Sequence, residues 1–157
     1  MSTATTGDSP AARRARAFTL STAAKAKFKR RGLRSYFEYR DLEIERASRG
    51  KVVAHVIRAR PGRAPQGEWH RHDCKVQFVY VLKGWIRFEY EGLGEFTMKK
   101  GDCFQQPPNI AHREIAHSRD VEMLEVVAPA DFKTVEVEPK TAAAVATKPR
   151  AKPKRAR

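Results

Sequence analysis

Three histidines have the clearest chemical potential in this sequence: His70 and His72, one residue apart, and His112, which lies forty residues further on. Side chains along a strand alternate between faces, so His70 and His72 would point the same way. His112 follows the turn Pro107-Pro108-Asn109, where another strand is expected to begin. Two imidazoles on one strand and a third on a neighbour can converge on one ion. Imidazole suits Zn, Fe, Ni, Cu and Mn to differing degrees, so a divalent transition metal is the expected cofactor. A His-x-His pair alone is weak evidence, because such pairs also occur as surface or satisfied core residues.

Other candidates carry less. Cys74 and Cys103 could face the same interior, serve as ligands, or pack as small buried hydrophobes; packing is the favoured reading. His55 alternates with Val53 and Ile57, which aims it inward toward a substrate or the metal ligands, or else at a partner subunit. With Arg58 and Gln105 it completes a set of polar pocket candidates able to bind a carboxylate or hydroxyl. His117 falls beyond the expected strand and reads as a surface residue. Tyr80, Trp85 and Phe88 lie in strands beside other apolar residues and read as core or interface aromatics. The chain has no phosphate-binding G-x-x-x-x-G-K-[ST] loop, no nucleophile elbow and no Cys-x-x-Cys pair.

The elements that must position these residues are short strands. Val52 to Arg60 follows an Arg49-Gly50 turn and ends at Pro61-Gly62. Val76 to Leu82 is a nearly continuous apolar run stopped by Lys83-Gly84. From Trp85 to Tyr90 the pattern alternates, with Ile86, Phe88 and Tyr90 on one face. Glu91-Gly92-Leu93-Gly94 turns the chain into Glu95 to Met98, and Val121 to Val127 is the last strong strand before Pro129. Many short strands separated by Gly/Pro turns predict an all-β sandwich or barrel. Upstream, a short helix is expected from about Thr22 to Arg31, capped by Ser21 and ended by Gly32.

The residues His70-Arg71-His72, then Gln77, then Gly84 resemble the first motif of the cupin family, with Gln77 where the family usually has Glu. Gly101-Asp102, Pro107, Asn109 and His112 resemble the second motif, with Asn109 in place of a common Gly and Ala116 in place of a common Asn. The Gly usual before the first His is displaced, since Gly62 and Gly67 both miss its spacing. The resemblance covers about Val52 to Val127. It implies an RmlC-like cupin jelly-roll β-barrel with a metal held by His70, His72, the residue at 77 and His112. An amide at 77 brings no negative charge, so the metal would bind less tightly and act as a stronger Lewis acid; alternatively Gln77 stays off the metal and leaves three histidines with open positions. Cupins include oxygenases, isomerases and lyases, and the fold does not choose among them. The family also pairs barrels through an edge strand, which makes a homodimer the default.

Composition sets the frame. The 157 residues fit one domain with extensions, residues 1–34 and 133–157 flanking a barrel over 35–132. The net charge of +14 lies in the tails: residues 1–34 carry +8 and 139–157 carry +7, leaving the middle close to neutral. Such arms read as disordered and give salt-dependent, sequence-independent attraction to nucleic acid or another acidic partner, with a purely solubilising role as the plainer reading. No apolar run suffices to span a membrane, and the N-terminus lacks a secretory core. Its Arg/Ser/Thr/Ala-rich character also suits a transit peptide. Two cysteines make no disulfide framework, so a cytoplasmic location is the simpler expectation. The functional expectation is a metal-dependent enzyme acting on a small organic molecule, with a non-catalytic ligand-sensing module as the alternative.

Overall fold

The computed structural model describes residues 9–30 and 34–138. Much of what reads as disordered tail, residues 1–8 and 139–157, lies outside them, as do residues 31–33. Ten strands follow in order: β1 Phe37–Asp41, β2 Val53–Ala59, β3 His70–Asp73, β4 Val76–Lys83, β5 Trp85–Tyr90, β6 Gly94–Lys99, β7 Cys103–Gln106, β8 His112–His117, β9 Glu122–Ala128 and β10 Lys133–Glu136. They form two five-stranded sheets, β1-β2-β9-β4-β7 and β10-β3-β8-β5-β6, and every pairing between neighbours is antiparallel. The crossing connections between the sheets make the jelly roll. Strand β10 adds barrel beyond residue 132, because its Thr134 and Glu136 pair with His72 and His70 of β3.

Alternation explains the core. Ile86, Phe88 and Tyr90 of β5 are buried, as are Val79 and Val81 of β4 and Ile57 of β2, and together with Met123 they fill the space between the sheets. Phe88 is therefore core, whereas Tyr80 and Trp85, out of phase with the buried positions of their strands, are exposed.

Upstream of the barrel the structure corrects the sequence reading twice. A helix stands at Pro10–Ala17 (α1), within a stretch that reads as disordered; Ser9 Oγ accepts the Ala12 N–H at 3.1 Å, and Pro10 occupies the first helical position. The helix expected from Thr22 is reduced to one 3-10 turn, Ala23–Lys25, after which Lys29 bridges Tyr39, with N–H to carbonyl distances of 2.8 and 2.9 Å. A ten-residue helix is marginal alone, so pairing with the edge of β1 wins. Among the described residues no helix is long and apolar enough to cross a membrane.

Two turns fix the site strands. Asn109 takes a left-handed φ of 59°, a conformation asparagine tolerates, and its N–H donates to the His72 carbonyl at 3.1 Å. Gly84 has φ +67°, and a Cβ there would lie 2.1 Å from Ser118 Oγ and 3.1 Å from Val121 Cα. Gly84→Ala is expected to cost about 2 kcal/mol or more through the left-handed backbone and this clash. That corresponds to a fall in melting temperature of roughly 10 °C for a domain of this size, readable by circular dichroism. A melting temperature unchanged from wild type would refute this account of Gly84.

Candidate metal centre

The three histidines meet inside the barrel. His70 and His72 are two apart on β3, and His112 opens β8 directly opposite His70 in the pairing register. His70 and His112 are fully buried and His72 partly so. Ring centroids are 4.2 Å apart for His70–His112, 5.0 Å for His70–His72 and 5.1 Å for His72–His112. One ring nitrogen from each lies within 4.8 Å of the others.

The Nδ1 atoms are all engaged. His70 Nδ1–H donates to the Glu68 carbonyl at 3.2 Å, and His112 Nδ1–H to the Ile110 carbonyl at 3.0 Å. His72 Nδ1 lies 2.7 Å from Thr134 Oγ1, a hydroxyl able to accept its proton. A carbonyl only accepts, so His70 and His112 carry their proton on Nδ1 and leave the Nε2 lone pair free. Burial, reinforced by the neighbouring His112 and Arg34, pushes His70 down to about 2. Burial likewise takes His112 to about 4 and lowers His72. Neutral imidazoles with Nδ1 tied to a supporting acceptor are the form in which histidine binds metal. The three residues therefore fit, and can hold, a divalent transition-metal ion.

Gln77 is buried on β4 and lines the same cavity, where its amide donates to Glu125 Oε1 at 2.8 Å. Glu125 Oε2 lies 2.5 Å from His55 Nε2. The chain His55–Glu125–Gln77 thus runs across β2, β9 and β4, adjacent strands in which Glu125 pairs with both His55 and Val79. Burial alone would raise the Glu125 carboxyl; the hydrogen bond and charge of His55, with the Gln77 hydrogen bond, outweigh it and hold it below the ordinary carboxylate range. On the other sheet, Glu114 of β8 is buried, accepts the Tyr36 hydroxyl at 2.9 Å and faces Arg34 at 3.6 Å. Burial raises the Glu114 carboxyl, with Arg34 and Tyr36 opposing. The cavity is about 360 Å³ and open to solvent on one side, with Ile57, Val79, Phe88 and Met123 among its apolar walls.

Strand parity sorts the remaining candidates. His55 faces the cavity with Val53 and Ile57. Arg58, three residues on, is out of phase with it: it donates to Glu38 Oε2 at 3.0 and 3.2 Å on the outer face and lies 3.8 Å over the Phe28 ring. Gln105 is also out of phase, being exposed at a separate depression while Gln106 lines the cavity. His117 is no surface residue. A bulge at Ile115 shifts the β8 register so that His117 pairs with Ile86 and packs on Phe37, centroids 5.4 Å apart. Cys74 is buried and Cys103 exposed; neither belongs to the histidine cluster.

Sequence reasoning missed Glu125, Glu114 and Arg34. The two glutamates do leave a signal: Glu125 shares the inward parity of Met123 and Val127, and Glu114 that of His112. Arg34 sits in an irregular segment before β1 and leaves none.

This fold and these histidines define the class. Residues 56–127 match the family described as the cupin domain. No curated protein matches the sequence. Among solved structures it resembles the polyketide cyclase RemF from Streptomyces resistomycificus, with a TM-score of 0.63 at 15% identity, over 80% of this chain and 89% of that one. An RmlC-like cupin from Shewanella frigidimarina gives 0.51 at 18% identity, over 71% and 90%. The iron(II) form of HppE gives 0.56 at 13% identity, over 70% and 60%. At these identities the likeness is one of fold.

Proposed function

We propose that the chain is a metal-dependent enzyme that moves a proton within a small organic molecule, as an isomerase or lyase does. The observation that carries this reading is the His55–Glu125 pair, at 2.5 Å, lining the same cavity as the three histidines. His70, His72 and His112 would hold the metal, which when bound supplies Lewis acidity toward a substrate oxygen. Gln77 fixes the orientation of Glu125 through Oε1. Glu125, held below the usual carboxylate range, is a proton acceptor at neutral pH, and His55 bears on its other oxygen and stabilises the charge. The apolar part of the wall lowers the local polarity and strengthens each of these interactions. The cavity has the size of a small-molecule site. Oxygenase chemistry shares the three-histidine arrangement but makes no demand for a buried carboxylate–imidazole pair.

The test is exchange of solvent deuterium into small carbonyl compounds by protein loaded with Zn, Mn, Fe, Ni or Cu. Glu125→Gln is expected to slow exchange by roughly 100-fold or more, and His112→Ala to abolish it. Exchange unaffected by both substitutions, or consumption of dioxygen in its place, would sink the proton-transfer reading.

A further inference from the structure

Arg34 lies outside the matched cupin domain, in the segment before β1, yet lines the cavity with only 7% of its side chain exposed. A guanidinium carries five donors in a planar fork, and burying one without hydrogen bonds is costly. Its neighbours stand off. Nε is 3.6 Å from Glu114 Oε2, an oxygen already accepting the Tyr36 hydroxyl at 2.9 Å, and Nη1 is 3.8 Å from Glu68 Oε2. Nη2 is buried and finds no hydrogen-bond partner among the described residues. Arg34 therefore has charge neighbours but donors to spare, in the wall of a cavity that also holds the histidine cluster.

We propose that Arg34 anchors the carboxylate of a small monoanionic carboxylic acid in this cavity. The inference rests on the reading of the cavity as a small-molecule site and names the class of molecule it takes. A planar carboxylate matches the guanidinium fork and can accept two N–H bonds at once. A single negative charge is favoured over a phosphate dianion because Glu125 and Asp41 also line the cavity and repel added charge, opposite the cations Arg34 and Lys29. Arg34, His70, His72 and His112 line the same cavity, so a carboxylate held on Arg34 would share it with the three histidines.

Calorimetric titration of the full chain with acetate, benzoate and propionate, each against its amide, tests this in metal-free and zinc-loaded protein. Wild type is expected to prefer each acid that fits by at least tenfold, and Arg34→Gln to lose that preference with zinc stoichiometry unchanged. Arg34→Gln leaves Glu114 without its cation, so Arg34→Gln/Glu114→Gln is measured beside it and is expected to lose the preference too. Arg34→Lys, which keeps the charge without the fork, should fall between. Equal affinity for acids and amides, no acid bound by folded wild type at millimolar concentration, or a preference that survives in both Gln variants would each overturn the proposal. Inorganic phosphate binding as tightly as the best acid would overturn the choice of a carboxylate. Metal content of the same samples keeps the two readings apart: wild type without zinc sinks the metal-dependent reading, while the acid–amide comparison in metal-free protein still decides the role of Arg34.

Discussion

Replacing His70 and His72 together by alanine is expected to strip the protein of metal. Wild type, purified beside the variant and analysed for elemental content, should carry close to one equivalent of iron, manganese, nickel, copper or zinc, and the variant only background. The size of the loss follows from the donor set. The cluster offers three ring nitrogens, and the double substitution leaves His112 as the last. Loss of even a supporting partner of a metal-bound histidine typically costs about 10–100-fold in affinity, and loss of two ligands must cost more. Thr134→Val removes only the hydroxyl beside His72 Nδ1 and leaves all three rings, so it should fall between wild type and the double variant. Circular dichroism guards against a trivial cause, since His70 is packed against His112 in the barrel interior. Metal retained by a folded double variant would place the ion elsewhere. Wild type that takes up no metal on reconstitution would mean that the histidines serve the fold.

How much of this was legible in the sequence depended on whether a residue obeys a period. The strands around Ile86, Phe88 and Tyr90 could be read because alternation is a local signal, and the fold places all three inside. His70 and His72 could be paired for the same reason. Parity would also have excluded Arg58, three residues from inward-facing His55, and it would have found Glu125 in phase with Met123 and Val127. His117 was beyond reach, because the bulge at Ile115 inverts parity and depends on the partner strand β5. Arg34 and β10 were beyond reach for another reason. Arg34 has no periodic neighbours, and Lys133–Glu136 is too short and polar to announce a strand until β3 offers it an edge. The three histidines that could hold a metal were thus visible in the chain, whereas the polar groups that share their cavity become visible only through packing.

The metal-free protein is expected to lose stability steeply as the pH falls from about 6.5 toward 4. An unfolded histidine titrates near 6.5, whereas burial holds His70 at about 2 and His112 at about 4 in the folded chain. Between those limits the unfolded state binds more protons than the native one, so stability rises with pH and is withdrawn as pH falls. At pH 5 each of the two histidines has withdrawn about 2 kcal/mol, or about 4 kcal/mol together. A domain of this kind typically has only about 5–15 kcal/mol to lose. His72 acts in the same direction. Glu125, lowered in the native state, adds its own loss only below the ordinary carboxylate range, whereas Glu114, raised by burial, opposes the loss above it, so the histidine share is read against a variant lacking the two buried imidazoles. Urea unfolding of metal-free protein at several pH values between about 6.5 and 4.5 measures the slope. His70→Gln/His112→Gln should flatten it, and bound metal, which competes with protons for the Nε2 lone pairs, should move the loss to lower pH. Stability that stays level from pH 7 to 5 would show that the imidazoles protonate in place and that burial does not hold them neutral. The expected acid fragility and the expected metal affinity therefore have one origin: three rings held neutral by burial, with Nδ1 tied back to Glu68, Ile110 and Thr134.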